Sequence, residues 1–166
     1  MPNLQALLKA AAKARKNAYA PYSGFPVGAA VEAAGEIFSA CNVENSSYPL
    51  AVCAERNAVA AAVAAGHRRL DAVAVVGGEA RPAAPCGGCR QVLAEFAPGS
   101  TPLVYASADG EAVETTVGAL LPDAFGPLDL TEAEESSRTR PARSTKVSPG
   151  KRRSATRGRG IRNSGR

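Results

Sequence analysis

Three cysteines and one glutamate in this chain have the spacing of a hydrolytic zinc site. Cys53 stands two residues before Glu55, while Cys86 and Cys89 form a C-x-x-C motif directly after Pro85. Three thiolates can hold one Zn²⁺ per chain in a tetrahedral arrangement and leave its fourth position for water. Because Zn²⁺ lowers the pKa of such a water towards neutrality, a nearby carboxylate can move its proton. The spacing therefore predicts three zinc ligands and makes Glu55 the candidate catalytic residue.

Two predicted helices begin at these cysteines. The run after Cys53 is rich in alanine up to Gly66, and residues 88–97 carry apolar side chains at helical spacing. Helix N-termini carry partial positive charge and free N–H groups, which favour thiolate over thiol. Arg56 and Arg90 directly follow the catalytic residue and one ligand, so we expect both to support the site by donating hydrogen bonds to sulfur.

A structural zinc site and a redox dithiol are the alternatives to a hydrolytic centre. A structural site requires a fourth protein ligand. The remaining candidates are Cys41, in an apolar strand-like run, and His67, just after the end of a predicted helix. Neither is placed near the other three cysteines by the sequence pattern, so the hydrolytic interpretation is favoured.

Length and composition indicate one domain followed by a basic tail. The 166 residues suffice for a sizeable core, and the 45% apolar fraction comes largely from alanine and valine. Residues 1–131 hold 9 Lys/Arg and 12 Asp/Glu, a net charge of −3, whereas residues 132–166 hold 11 Lys/Arg and 3 Glu, a net charge of +8. The tail has few apolar side chains, so we predict that it is disordered.

No membrane or secretory segment is expected. No run of about 18 apolar residues occurs, and the N-terminus lacks a basic region followed by an apolar one. Four cysteines, three of them assigned to metal, favour a reducing compartment over a disulfide framework. We therefore predict a cytoplasmic protein without membrane partners.

The hydrophobic periodicity predicts an α/β fold with helices on both faces of one sheet. Residues 3–18 form an amphipathic helix with Asn3 as N-cap, and two strands form a hairpin around Gly35. A continuous apolar run at 70–76 indicates a buried strand, which we expect to pair in parallel because a helix precedes it. The predicted strands are 27–34, 36–43, 70–76, 102–106 and, with a weaker signal, 113–117.

A polar loop lies between the hairpin and the first cysteine. Asn42 and Glu44 are two residues apart, so in an extended segment both point to the same side. Side chains converging beside a metal can orient a substrate, but a solvated loop with Asx turns explains the same residues equally well. Near the end of the domain, Leu120, Leu121 and Phe125 either close the core or form an apolar surface that needs a partner.

Five sequence blocks together resemble the cytidine deaminases, in the short, three-cysteine, homotetrameric class. The C-x-E and P-C-x-x-C spacings are the general signature of zinc-dependent deaminases. The resemblance covers residues 1–131 and includes P-Y-S-G-F-P-V-G-A-A, N-V-E-N-S-S-Y, C-A-E-R-N-A, P-C-G-G-C-R-Q-V-L and L-L-P-D-A-F-G-P. It implies a three-layer α/β/α fold with one mixed five-stranded sheet, and the tail has no counterpart in the family pattern.

The resemblance also implies an activity and a set of roles. The chain would hydrolyse cytidine and 2′-deoxycytidine to uridine and 2′-deoxyuridine with release of ammonia, using a zinc-activated water and Glu55 as proton shuttle. Asn42 and Glu44 would contact the ribose, and Phe125 would reach the active site of a neighbouring subunit in a homotetramer. The residues implied to bind substrate are Phe25, Asn42, Glu44, Ala54 and Phe125.

Two other functions are weighed against this one. A deaminase of a related cytosine nucleoside, such as blasticidin S, would share the zinc motif, although Asn42, Glu44 and the Phe125 block favour the ordinary nucleoside. A polynucleotide-binding or editing protein is suggested by the basic tail, which would bind polyanions weakly. The net negative charge of the domain, the 5% aromatic content of the chain and the repulsion between Glu44 and a phosphate argue against it.

Overall fold

A computed structural model describes residues 2–127 and 129–131, and its framework is a five-stranded sheet between two layers of helices. The strands are β1 Val27–Ala33, β2 Glu36–Cys41, β3 Ala72–Gly77, β4 Pro102–Ala106 and β5 Ala112–Thr116. The helices are α1 Leu4–Arg15, α2 Ala54–Ala64, α3 Gly87–Phe96 and α4 Val117–Leu120, with a 3-10 turn at Tyr48–Leu50. The predicted α/β class, with helices on both faces of the sheet, is confirmed.

The sheet is mixed, with strand order β2-β1-β3-β4-β5. β1 runs antiparallel to both β2 and β3, β3 runs parallel to β4, and β5 closes the other edge antiparallel to β4. The apolar run at 70–76, which we expected to pair in parallel, forms β3. It is parallel to β4, as predicted, but antiparallel to β1, so the prediction is wrong for that neighbour. The run is buried on both faces because helices cover both sides of the sheet, and this burial does not depend on strand direction.

Capping and turn residues explain where α1 begins and where the chain turns between β1 and β2. The Asn3 side chain accepts a hydrogen bond of 3.1 Å from the N–H of Ala6 and caps α1. Ala34 and Gly35 both have positive φ, at 52° and 83°, as a two-residue hairpin turn between Ala33 and Glu36 requires. The helix ends at Arg15, so it is shorter at its C-terminus than predicted.

Alternating residues of the sheet face two separate cores. Ala29, Val31, Val73 and Val75 pack with α2 and α3, whereas the intervening residues pack with Leu7 and Ala11 of α1. The small side chains let α1 approach closely. A Cβ added at Gly28 would lie 2.0 Å from the carbonyl oxygen of Ala11, so this contact requires glycine.

The α2 and α3 side of the sheet carries the predicted chemistry. Both helices lie on that face and contact each other, so their N-termini can meet. None of the helices in the described part of the chain is long and apolar enough to cross a membrane. The basic segment 132–166, and with it the prediction of a disordered tail, lies outside the described residues.

Candidate functional site

The three predicted zinc ligands lie together at the N-termini of two helices. Cys53 is the N-cap of α2, Cys86 is the N-cap of α3, and Cys89 lies in the first turn of α3. Their Sγ atoms all lie within 4.8 Å of one another, and the Cys53 and Cys86 sulfurs are 4.0 Å apart. Tetrahedral Zn–S bonds of about 2.3 Å put sulfurs about 3.8 Å apart, so the cluster fits zinc with little adjustment.

The Cys53 and Cys89 thiols share a proton, and a cation can take the place of that proton. A hydrogen bond from the Cys89 thiol, with smaller contributions from Cys86 and from the charge of Arg56, lowers the pKa of Cys53 to about 6. The same bond raises the pKa of Cys89, because Cys89 is the donor and holds the shared proton. A metal ion that replaces this proton completes the set of thiolate ligands.

Glu55 is a buried carboxyl group beside the thiols. It lies in the first turn of α2 and is only 5% exposed. Burial raises the pKa of Glu55, because removal from water disfavours the charged form. A carboxyl group with a raised pKa takes up a proton more readily than an ordinary carboxylate does, which suits a proton shuttle.

A cavity of about 320 Å³ connects this centre with the polar loop. Cys53, Cys86, Glu55 and the buried Ala54 line one side. The volume is at the lower end of the range typical of small-molecule sites. Ser23, Phe25, Asn42 and Glu44 also line the cavity, so the predicted substrate residues of this chain other than Phe125 meet at one cavity.

Asn42 fixes the segment that carries Phe25. Its side-chain oxygen accepts a hydrogen bond of 2.8 Å from the N–H of Val27, and its amide nitrogen donates one of 3.0 Å to the carbonyl of Phe25. Both ends of the amide are therefore used by backbone groups on either side of Pro26. The Phe25 ring, 44% exposed, remains available at the cavity wall.

Glu44 accepts three hydrogen bonds from the turn before Phe25. The N–H groups of Tyr22 and Ser23 donate to its Oε2 at 2.9 and 3.2 Å, and the Ser23 hydroxyl donates to its Oε1. The Ser23 hydroxyl and then the Tyr22 amide hold the pKa of Glu44 below its usual value. This carboxyl group is therefore an ionised acceptor.

The remaining predicted residues lie around the site without lining its cavity. Arg90 donates to the carbonyls of Pro85 and Leu120 at 2.8 and 3.0 Å, so it fixes the backbone before Cys86, and its donation to sulfur stays a prediction. Leu120 packs against the core of its own chain. Phe125 is 60% exposed and does not line the cavity of its own chain.

Sequence reasoning assigned no role to three parts of the cavity wall. Ser23 belongs to one of the five sequence blocks but carries no signal of its own there, and its contact with Glu44 joins it to a residue twenty-one positions away. Ala83 and Ala84 line the cavity from the segment before α3, and Val75 from β3. Small apolar side chains in a connecting segment carry no signal of this kind.

Comparison with known proteins gives a consistent result. Residues 1–106 match the family model described as "Cytidine and deoxycytidylate deaminase zinc-binding region". A cytidine deaminase of Sporosarcina psychrophila is 48% identical over 134 residues, which cover 80% of this chain and 98% of that protein. One from Halalkalibacterium halodurans is 45% identical over 129 residues, with 77% and 98% coverage.

Solved structures agree with the sequence relatives. The crystal structure of cytidine deaminase from Burkholderia pseudomallei superposes with a TM-score of 0.71 at 49% identity, covering 75% of this chain and all of that one. The enzyme from Mycobacterium tuberculosis gives a TM-score of 0.65 at 42% identity, with coverage of 76% and 99%. The residues matched by the family model include all three cysteines and the whole lining of the cavity.

Proposed function

This chain belongs to the cytidine deaminase family, and from that premise we propose how its residues carry out the reaction. It is a zinc-dependent cytidine deaminase, with zinc held by Cys53, Cys86 and Cys89. We propose that its substrates are cytidine and 2′-deoxycytidine, converted with water to uridine or 2′-deoxyuridine and ammonia. The observation that carries the mechanism is the buried Glu55 carboxyl group in the same cavity wall as two of the thiols.

Glu55 is the proposed proton shuttle. Bound zinc supplies a Lewis acid that lowers the pKa of water beside it. The Glu55 carboxylate takes a proton from the attacking water and delivers it to N3 of the pyrimidine, which makes C4 electrophilic. After oxygen has bonded to C4, Glu55 takes the second proton of that oxygen and gives it to the amino group. Ammonia leaves and the carbonyl forms, so the carboxylate returns to its starting state.

Other residues that line the cavity are proposed to bind the nucleoside. We propose that the Phe25 ring and Ala54 contact the base, and that Asn42 and Glu44 contact the sugar hydroxyls. Support comes from the shared cavity and from the free acceptor position that Glu44 retains after its three hydrogen bonds. The cavity lining also includes the apolar side chains of Val27 and Val75, which favours an uncharged ring.

A homotetramer with shared active sites is the proposed assembly. Exposed apolar side chains lie on the described surface at Tyr48, Leu50 and Phe125, which are 72%, 64% and 60% exposed. Such residues are typical of a surface that a second copy covers. In this assembly Phe125 would complete the cavity of a neighbouring chain, and a truncated chain ending at residue 131 that sediments only as an active monomer would exclude it.

The chemistry of the cysteines supports a proposal for the cell compartment. The four described cysteines are unpaired, and thiolate ligands are retained in a reducing environment. We therefore propose a cytoplasmic enzyme.

Replacement of Glu55 by glutamine tests the mechanism. Glutamine has the same shape but cannot carry the proton, so kcat for cytidine should fall about 10²–10⁴-fold or more while zinc content and fold are retained. Glu95→Gln makes the same chemical change at an exposed position of α3 and should keep wild-type activity. Near-normal turnover of a folded, zinc-loaded Glu55→Gln enzyme would falsify the shuttle.

A further inference from the structure

The Ser23 hydroxyl lies between two groups of the active-site cavity. It donates a hydrogen bond to Oε1 of Glu44 and accepts one of 3.0 Å from the backbone N–H of Phe25. An ionised carboxylate is an acceptor only, so the single hydroxyl proton must point towards Glu44. The hydroxyl thus connects the position of the carboxylate with that of the aromatic residue.

Among the residues that the structure describes, the hydrogen bonds of Glu44 leave one acceptor position open. A carboxylate offers about four lone-pair positions on its two oxygens. Two backbone N–H groups, from Tyr22 and Ser23, use Oε2, and the Ser23 hydroxyl uses one position of Oε1. The open position therefore lies on Oε1, next to the hydroxyl, and only a hydrogen-bond donor can occupy it.

We propose that Ser23 is a positioning residue that sets the specificity of the sugar site by aiming Oε1 of Glu44 at a free sugar hydroxyl. This proposal rests on the proposed contact between Glu44 and the substrate. It predicts selection for nucleosides that present a hydroxyl there. Sugars with a phosphate at the same position are rejected, because a phosphate brings acceptors and negative charge to a carboxylate that already carries one.

The second contact of Ser23 extends the effect to the base. The backbone of Phe25 is held at its N–H by Ser23 and at its carbonyl by Asn42. Loss of the hydroxyl releases the first of these constraints and leaves the second. The effect on binding should therefore exceed the effect on chemistry, because the described hydrogen bonds of the Ser23 hydroxyl go to Glu44 and Phe25 and not to Glu55 or the thiols.

Ser23→Ala, Ser23→Thr and a Ser23/Glu44 double-mutant cycle test the proposal on cytidine and 3′-deoxycytidine. Hydrogen bonds to charged groups are strong, so kcat/KM of Ser23→Ala for cytidine should fall about tenfold, chiefly through KM. For 3′-deoxycytidine the loss should be smaller. Ser23 is exposed, so the extra methyl group of threonine has room, and Ser23→Thr should restore kcat/KM to within about twofold.

Ser39→Ala is the matched control. It removes a serine hydroxyl from an exposed position on β2, outside the active-site cavity, and should leave both substrates unaffected. In a Glu44→Ala background, Ser23→Ala should have a clearly smaller effect on kcat/KM, because only its contact with the N–H of Phe25 remains to be lost. Melting temperature and zinc content of every variant separate this coupling from loss of structure.

The outcomes distinguish this proposal from the one on which it rests. If Glu44→Ala loses activity on cytidine but Ser23→Ala does not, the role of Ser23 is overturned and the sugar contact stands. A Ser23→Ala loss that is equal for both substrates, or that is undiminished in Glu44→Ala, also overturns it. If Glu44→Ala changes neither substrate, the sugar contact itself is refuted, and Ser23 loses its proposed role with it, whereas the Glu55 mechanism is unaffected.

Discussion

Replacing Gly28 by alanine is expected to displace α1 from the sheet. The new Cβ would lie 2.0 Å from the carbonyl oxygen of Ala11 and 2.5 Å from the backbone nitrogen of Arg15. Real Cβ atoms do not approach other heavy atoms to less than 3.0 Å, so the helix must withdraw by about 1 Å. Both clashing atoms belong to helix backbone, so no rotamer change can relieve the contact.

The magnitude follows from what α1 loses on withdrawal. A gap of about 0.5–1 Å forfeits a quarter to a half of the dispersion energy of the affected contacts. Leu7 and Ala11 are fully buried in this interface. Overpacking typically destabilises by about 1–3 kcal/mol, and the rigid backbone on the α1 side places Gly28→Ala near the upper value. For a domain of this size, the melting temperature should fall by about 10 °C.

Two other glycines provide a graded comparison in the same protein. A Cβ at Gly118 would meet the carbonyl oxygen of Gly99 at 2.9 Å, whereas a Cβ at Gly99 has its nearest neighbour at 3.6 Å. Urea and thermal unfolding of the zinc-loaded proteins should rank Gly28→Ala as most destabilised, Gly118→Ala as intermediate and Gly99→Ala as near wild type. If Gly28→Ala melted like Gly99→Ala, the close approach of α1 to β1 would be wrong.

The same substitution should reach the active site indirectly. Arg15 at the end of α1 donates a hydrogen bond of 3.0 Å to the carbonyl of Pro26, next to Phe25. Withdrawal of the helix would displace the segment that contains Phe25 and Pro26. We therefore expect Gly28→Ala to raise KM for cytidine more than it lowers kcat. Zinc content should not change, because the ligands lie with α2 and α3 on the opposite face of the sheet.

Three further predictions concern the metal, the sugar site and the tail. Cys86→Ala should lose zinc and melt like chelator-treated wild type, whereas Cys41→Ala should keep zinc and activity, as metal analysis and calorimetry will test. The lowered pKa of Glu44 contributes stability above pH 4.5 that disappears as the pH falls through its folded-state value. The difference in urea midpoint between wild type and Glu44→Gln should therefore be largest at neutral pH and close on acidification; a constant difference would contradict this. Truncation after Leu130 should leave cytidine kinetics unchanged and abolish salt-dependent binding to heparin or RNA, and a zinc-loaded but inactive truncated enzyme would contradict the domain boundary.

The zinc centre could be predicted from the sequence because its chemistry is local. The C-x-E spacing places Cys53 and Glu55 at the N-terminus of α2. The C-x-x-C spacing places Cys86 and Cys89 at the N-terminus of α3. Helix signals in the neighbouring sequence indicate where the two helices begin. The same argument succeeded for the hairpin around Gly35. In each case the deciding interaction lies within a few residues of the signal.

Long-range contacts could not be predicted in this way. The contact between Ser23 and Glu44 joins segments twenty-one residues apart, and it depends on how the β1–β2 hairpin places the end of β2. The antiparallel pairing of β1 with β3 is another case, because an apolar run reports burial on both faces but not strand direction. Contacts and strand pairings of this kind depend on the assembled sheet, so no pattern within a few residues of the sequence predicts them.

The position of the thiols along the chain has a consequence for biosynthesis. Cys89 supplies the last of the three ligands, whereas β4 begins only at Pro102. A nascent chain therefore holds all three thiols before β3 can pair with β4. At that stage β3, buried along its whole length in the finished protein, presents an open apolar edge. Metal captured early would hold α2 and α3 together over one face of this strand while its edge is vulnerable to aggregation. Zinc supply during translation should therefore affect the yield of folded enzyme as well as its activity.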